Sequence, residues 1–371
     1  MHEAFLSCGI DSCIIEIESD GGAALIKELM DDPPEFTLTF NMFSGGPGQP
    51  FLCDLVKVPH VSLFVDSAHL YMEALTCRYN ISCFVDRSGV DLFRDLGNTN
   101  TLFVPHGVDR NLAPDPNLKR IYDVVLPASF IDYEKIRSEW KATYPEKFCR
   151  MLDSTLELAQ LNPEIPYYRT FFKILEKYCA ENPNEDVRKL IPQNALTDIE
   201  LYLRGKERVD LLKAIKDVKI DIFGSGTKEE WKKYLGERPE VTIHDPVEYE
   251  EVLQIMKQSK IVLSSCSWIK YGGHERIFSG FACGAMVVIG ENAYLKKFFK
   301  EGESIAYYNA KTISGIGETV KKYLADEGLR ERVAAEGRRI VMGAHTWRHR
   351  AEQLLREVPP LLEKILTDNK A

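Results

Sequence analysis

A chain of 371 residues, 44% of them hydrophobic, is too long for one ordinary domain and apolar enough to bury two cores. Its net charge of -9, with no face of clustered Lys and Arg, excludes a nucleic-acid binder that works by neutralising phosphates. No apolar run approaches the roughly 18 residues needed to cross a bilayer, and the N-terminus lacks a basic region followed by an apolar core, so a cytoplasmic protein with no membrane span is expected.

The chain opens on a helix-like segment, HEAFLSC, capped by Gly9, where an α/β domain ordinarily begins with a strand. Either the first strand is missing or Met1 is not the usual start of such a domain. Short β-branched runs then alternate with amphipathic segments, the pattern of a parallel sheet covered by helices. The strand candidates are SCIIEIE, FTLTFN, VSLFVD, ISCFVD and TLFVPH, ending near Glu18, Asn41, Asp66, Asp86 and His106. The Pro-rich NLAPDPN leads to another strand, IYDVVLPAS. From 132 to 216 the pattern is almost wholly helical, with Leu152, Leu156, Leu158 and Leu161 at mixed three- and four-residue spacings, which reads as an insertion. Alternation resumes with VKIDIFG, VTIHD, KIVLSS, AMVVIG and SIAYY, a second doubly wound sheet. His345 to Leu366 reads as one closing helix with an apolar face that includes Trp347, Leu354 and Leu362. The expected domains are 1–118, then 119–345 with the insertion at 132–216, then the closing helix 346–371. The nine cysteines form no CxxC pair and lie mostly in apolar runs, as reduced, buried small hydrophobes do.

In an open parallel sheet the ligand binds beyond the carboxyl ends of the strands, where helix N-termini present unpaired N–H groups. Two strand ends in the second half carry unusual groups. Gly224-Ser225-Gly226 follows IDIF and suits either close backbone approach to an anion or a simple corner. Tyr271 to Phe278 is YGGHERIF, leading into a helix. A cation in the first turn of a helix does nothing for the helix dipole, so Arg276 calls for an anion, from a ligand or from a neighbouring carboxylate. Gly273 gives a flexible approach, His274 is expected to touch the same ligand, and Glu275 suits ribose hydroxyls or simply the helix start. In the first half, Asp66 and His69 follow VSLFVD and suit a general-base pair, or Asp66 caps a helix beginning near Ser67. His106 and Asp109 close TLFVP on the side expected to face an acceptor. The loop Ser44 to Gly48 suits acceptor binding or turning equally well.

These residues resemble a known group. HERIFSGFACGAMVVIG is similar to the donor-site signature of group 1-like glycosyltransferases, especially the CgeB-like, spore-maturation branch, with its Arg-x-Phe run before Ala-Cys-Gly. IYDVVLPAS, IDIFGSG, the run from His244 to Ser265, SLFVDSAHLY, TLFVPHGVD and HTWRHRAEQLL resemble further parts of the same architecture. The resemblance implies a GT-B fold, two doubly wound Rossmann-like domains facing a cleft, here with a helical insertion in the C-terminal half. It implies transfer of a sugar from a nucleotide-sugar, a UDP-sugar in the first instance, to a glycan, protein or small-molecule acceptor, and leans towards retention while leaving inversion open, for which Asp66 or His69 would be the base; the chain has no convincing Asp-x-Asp metal pair, so no metal or other cofactor is expected. On the donor side it places Ser129, Gly224, Ser225, Gly273 and Phe278, with Arg276 on the diphosphate, His274 and Glu275 on phosphate or ribose, and Pro246 and Val247 on the base. Two departures stand out: Ser279 occupies the position of an acidic residue in many relatives, and Pro127-Ala128-Ser129 replaces a glycine. A sugar-nucleotide epimerase shares the scaffold. So does a non-catalytic sugar-nucleotide-binding or interaction module, for which the helical insertion would dock a protein partner.

Overall fold

The computed structural model describes residues 1–15, 23–41, 50–162, 164–184, 194–266, 268–309 and 311–369. They form two units, Met1–Arg110 with Ala344–Ala371, and Asn111–Gly343. The first begins with α1 (His2–Leu6), α2 (Ala23–Asp31), β1 (Thr37–Phe40), α3 (Leu52–Val56), β2 (His60–Phe64) and a 3-10 segment (Ala68–Thr76). It continues with β3 (Asn80–Phe84), α4 (Arg87–Asp95) and β4 (Thr101–Phe103). The second runs through β5 (Tyr122–Pro127), α5 (Tyr133–Thr143), α6 (Glu146–Leu161), α7 (Tyr167–Glu181) and α8 (Ala195–Ala214). Then come β6 (Ile220–Phe223), α9 (Lys228–Leu235), β7 (Val241–His244), α10 (Tyr249–Lys257), β8 (Ser259–Ser264) and α11 (Glu275–Ala282). After β9 (Met286–Gly290), β10 (Ala306–Tyr308), α12 (Ile316–Ala325) and α13 (Glu327–Ala344), the closing helices α14 (Trp347–Glu357) and α15 (Pro359–Asp368) return to the first unit.

The first sheet is parallel in the order β1-β2-β3-β4. Side chains alternate between its faces. One face sets Val61, Leu63, Ile81, Cys83 and Val104 against Phe5 of α1 and against Ala351, Leu354, Val358 and Ile365 of the closing helices. On the other, Phe64, Phe84 and Phe93 pack ring to ring, with centroids 5.1 and 4.6 Å apart along the series. The closing segment is held by backbone as well: Val108 N–H donates to the His345 carbonyl and Trp347 N–H to the Val108 carbonyl. Gly107 makes that approach possible, since a Cβ there would lie 2.8 Å from the Trp347 nitrogen.

Buried histidines accompany this packing. His60 lies between the hydroxyls of Thr37 and Thr39, at 2.7 and 2.9 Å, and burial pushes its imidazole down to about 4. Arg350 donates to the His106 carbonyl at 3.2 Å and to Nδ1 of His345 at 2.9 Å.

The second sheet is also parallel, in the order β10-β9-β8-β5-β6-β7, so the winding reverses between β5 and β8. Helices α5 to α8 fill the connection from β5 to β6. Among the described residues no helix is long and apolar enough to cross a membrane.

Three sequence expectations are corrected. The part of SCIIEIE that is described, Ser12 to Ile15, is not a strand, and the rest lies outside the described residues, as does the loop Ser44 to Gly48. β-propensity measures fit to a half-buried pleat, and Ile14 is 71% exposed. The closing helix is two helices, because Pro359 and Pro360 lack the N–H groups a continuous helix needs and instead start α15. Six cysteines are buried, but Cys8 and Cys179 are half-buried and Cys13 is exposed.

Candidate functional site

A reversal of strand order is where an open α/β sheet leaves room for a ligand. The second unit places Arg208 there. From α8 its Nε donates to Ser265 Oγ at 3.2 Å, just past the end of β8, and its Nη1 donates to the carbonyl of Ser129, just past the end of β5. The helix comes close enough because Gly205 has no side chain: a Cβ there would lie 2.8 Å from the Ile131 carbonyl oxygen. Arg208 is buried, and burial, followed by the charges of Arg204 and Arg276, pushes its guanidinium down to about 9.

Arg204, one turn earlier, pairs with Glu200 at 3.0 Å and lies over Trp268, 4.2 Å from the ring centroid. Trp268 in turn meets His274 edge to face at 6.0 Å. Arg276 is the second residue of α11; its Nη1 is buried and has no hydrogen-bond partner among the described residues. The charges of Arg204, which is paired with Glu200, and of Arg276 therefore act on buried Arg208 beside a helix N-terminus, an arrangement that an anion relieves.

His274 is the N-cap of α11, and its Nδ1 accepts the backbone N–H of Arg276 at 3.3 Å. That bond leaves the imidazole proton on Nε2, a donor in the neutral ring. Glu275 opens the helix beside it and is half-buried. Phe278 is completely buried, its ring filling the space a Cβ on Gly273 would need, 2.4 Å away. It shapes the loop from the inside and offers no surface to a ligand. Ser279 is also buried, with its Oγ 3.1 Å from the Tyr249 hydroxyl.

Gly224, Ser225 and Ser129 lie together at the ends of β6 and β5. Ser225 N–H donates to Ser129 Oγ at 3.3 Å, and a Cβ on Gly224 would lie 2.5 Å from the Ala128 carbonyl carbon. Gly226, at φ +116°, faces the side chain of Phe130. These glycines admit a neighbouring loop of the protein. Pro246 is exposed between β7 and α10, while Val247 packs against the core formed by Val125, Phe223 and Ile255.

In the first unit Asp66 is exposed beyond β2 and accepts from the Tyr71 hydroxyl at 3.3 Å, while Ser67, not Asp66, is the cap of the segment that carries His69. The same tyrosine donates to Asn41 Oδ1 at 2.7 Å. Asp109 is exposed; His106 is buried, and desolvation, opposed by a backbone hydrogen bond and aided by Arg350, pushes it down to about 4. His106 is buried in the packing of its unit, its carbonyl accepting from Arg350.

Arg204, Arg208, Ser265 and Trp268 were not among the sequence candidates. A signal did exist for Arg208, which falls on α8 one turn from Gly205 and Leu212, among residues the helix buries. A charge on an apolar stripe needs a partner or a ligand.

Two parallel Rossmann-like sheets with these connections define the GT-B fold. Residues 204–356, a segment beginning at Arg204, match the family described as "Glycosyl transferase-like". The chain is similar in structure to Anabaena HepE, solved with UDP and glucose, with a TM-score of 0.54 at 12% identity over 92% of this chain and 83% of that one. It is also similar to a glycosyltransferase from Rickettsia africae ESF-5, with a TM-score of 0.51 at 10% identity over 98% of this chain and 87% of that one. A sucrose-phosphate synthase from Thermosynechococcus elongatus gives 0.51 at 12% identity over 92% and 77%. No curated protein matches the chain significantly in sequence.

Proposed function

We propose that the chain is a glycosyltransferase whose second unit holds a nucleotide-sugar, a UDP-sugar in the first instance, and gives up its sugar to an acceptor without a metal ion. The observation that carries this reading is the unpartnered, buried Nη1 of Arg276 beside Arg208 and Arg204 at the start of α11. Glycosyl transfer builds negative charge on the departing diphosphate, and fixed guanidiniums with a helix N-terminus stabilise that charge in place of a cation. His274 Nε2–H donates to a phosphate oxygen, Glu275 accepts from the ribose, and the segment at Pro246 and Val247 meets the base. The family match over 204–356 and the UDP-glucose complex of HepE support the same assignment.

The likeness to group 1-like glycosyltransferases, and to their CgeB-like branch, rests chiefly on the run from His274 to Gly290, and the group 1-like likeness favours a retaining course, in which the donor phosphate assists departure and no protein base is required. An inverting course needs a base, and for that task we propose Asp66, an exposed carboxylate of the first unit, with His69 three residues on in sequence.

Incubation with UDP-glucose and other UDP-sugars is expected to release UDP slowly even without the true acceptor. Arg276→Ala should lower that release roughly 100-fold or more. Tight binding with no release in the presence of sugar, peptide and small-alcohol acceptors contradicts catalysis. It would instead favour a non-catalytic binding module, the reading that fits Ser279 standing where many relatives carry an acidic residue.

A further inference from the structure

Cys53, the second residue of α3, and Cys77, just past the 3-10 segment, bring their Sγ atoms to 3.1 Å across a sequence separation of 24 residues. Both are buried, with Phe51 and Tyr79 packed around them. Among the described residues no other two of the nine cysteines make such a contact. The approach is set by backbone: Asp54 Oδ1 accepts the N–H groups of Arg78 and Tyr79, each at 3.0 Å, and the Cys77 thiol at 3.4 Å. The chain after Cys77 is thereby tied to α3.

Two chemistries suit a pair of thiols with a carboxylate. One zinc ion would hold its two sulfurs about 3.8 Å apart, at Zn–S near 2.3 Å, and would want four ligands. The sulfurs are closer than that, and the carboxylate oxygen nearest them is already bound to two backbone N–H groups. A disulfide needs about 2.05 Å, which asks for roughly 1 Å of closure by side-chain rotation.

We propose that Cys53 and Cys77 are an oxidisable pair that forms an intramolecular disulfide when the chain meets a peroxide. In the first step the Cys53 sulfur attacks one peroxide oxygen, the O–O bond breaks, and water leaves as a sulfenic acid forms. In the second, the Cys77 sulfur attacks that sulfur, the S–O bond breaks, and the hydroxyl leaves with the Cys77 proton as a second water. Two electrons pass from the two thiols to the peroxide. The bond closes a loop around β2, the strand that leads to Asp66, and joins α3 to the end of the 3-10 segment. Its hydrogen bond with Cys53, and then burial, hold the Cys77 thiol well above its ordinary range, so the reaction is slow at neutral pH and quickens in alkali.

The full chain is treated with hydrogen peroxide, the remaining thiols are alkylated, and the digest is mapped by mass spectrometry. The expected result is a Cys53–Cys77 cross-linked peptide about 2 Da lighter than its reduced parts, with a thermal midpoint a few degrees above the reduced chain. Cys179→Ala should still form it, and Cys53→Ala and Cys77→Ala should not. A bond between other cysteines, both thiols recovered reduced after Cys13 has been oxidised, or one zinc ion retained on dialysis and shielding both sulfurs overturns the proposal.

Discussion

Lowering the pH from 7 to 5 is expected to strip several kcal/mol from the stability of the first unit. Desolvation pushes His60 and His106 down to about 4, and desolvation with the Arg350 and His349 charges pushes His345 down to about 3. An unfolded histidine titrates near 6.5, so between that value and the folded values the unfolded chain binds more protons. Stability is therefore complete above about pH 6.5 and falls as the pH drops, by about 2 kcal/mol per histidine at pH 5. The geometry gives the reason most clearly at His345. Arg350 donates to Nδ1 at 2.9 Å, and a proton on that nitrogen would oppose a guanidinium N–H. Urea unfolding at the two pH values, read by amide-exchange protection of β2 and β3, checks this. Equal midpoints would mean that these rings are charged in the folded chain.

Gly224→Ala is expected to destabilise the second unit by about 3 kcal/mol or more. The new methyl would meet the Ala128 carbonyl carbon at 2.5 Å, its oxygen at 2.6 Å and the Ser129 nitrogen at 2.7 Å. These are backbone atoms and cannot turn aside, so the ends of β5 and β6 must separate. The Ser129 carbonyl that receives Arg208 moves with them, and anion binding should weaken in whatever fraction remains folded. Gly315→Ala is the control, since nothing lies within 4 Å of its Cβ position and its φ is -93°. Thermal unfolding of the two variants should differ by many degrees; similar midpoints would show that the strand ends yield easily.

The strands were readable because burial on both faces of a parallel sheet demands β-branched runs such as KIVLSS and AMVVIG. SCIIEIE carries the same composition, yet Ile14 is exposed, for a run becomes a strand only where a neighbour pairs with it. The closing helix was misread as one because its apolar positions continue across Pro359 and Pro360, and periodicity does not register a missing N–H. At the site, Arg276 was visible from sequence as a cation at the wrong end of a helix. Arg208 was not, because its meaning comes from α8 crossing to the ends of β5 and β8, a contact between residues 79 and 57 positions apart in sequence. Phe278 shows the converse: it sits inside a suggestive motif, and the structure spends it on packing against Gly273.

The most direct test of the central claim is thermal stabilisation by UDP-, GDP-, ADP- and dTDP-sugars and the free nucleotides, on the native chain and on Arg276→Ala. The account predicts a rise of several degrees that is selective for one base, strongest among uridine compounds, and abolished in the variant. No rise with any nucleotide while the chain is folded, or an equal rise in Arg276→Ala, would contradict the assignment of the arginine cluster as a donor site.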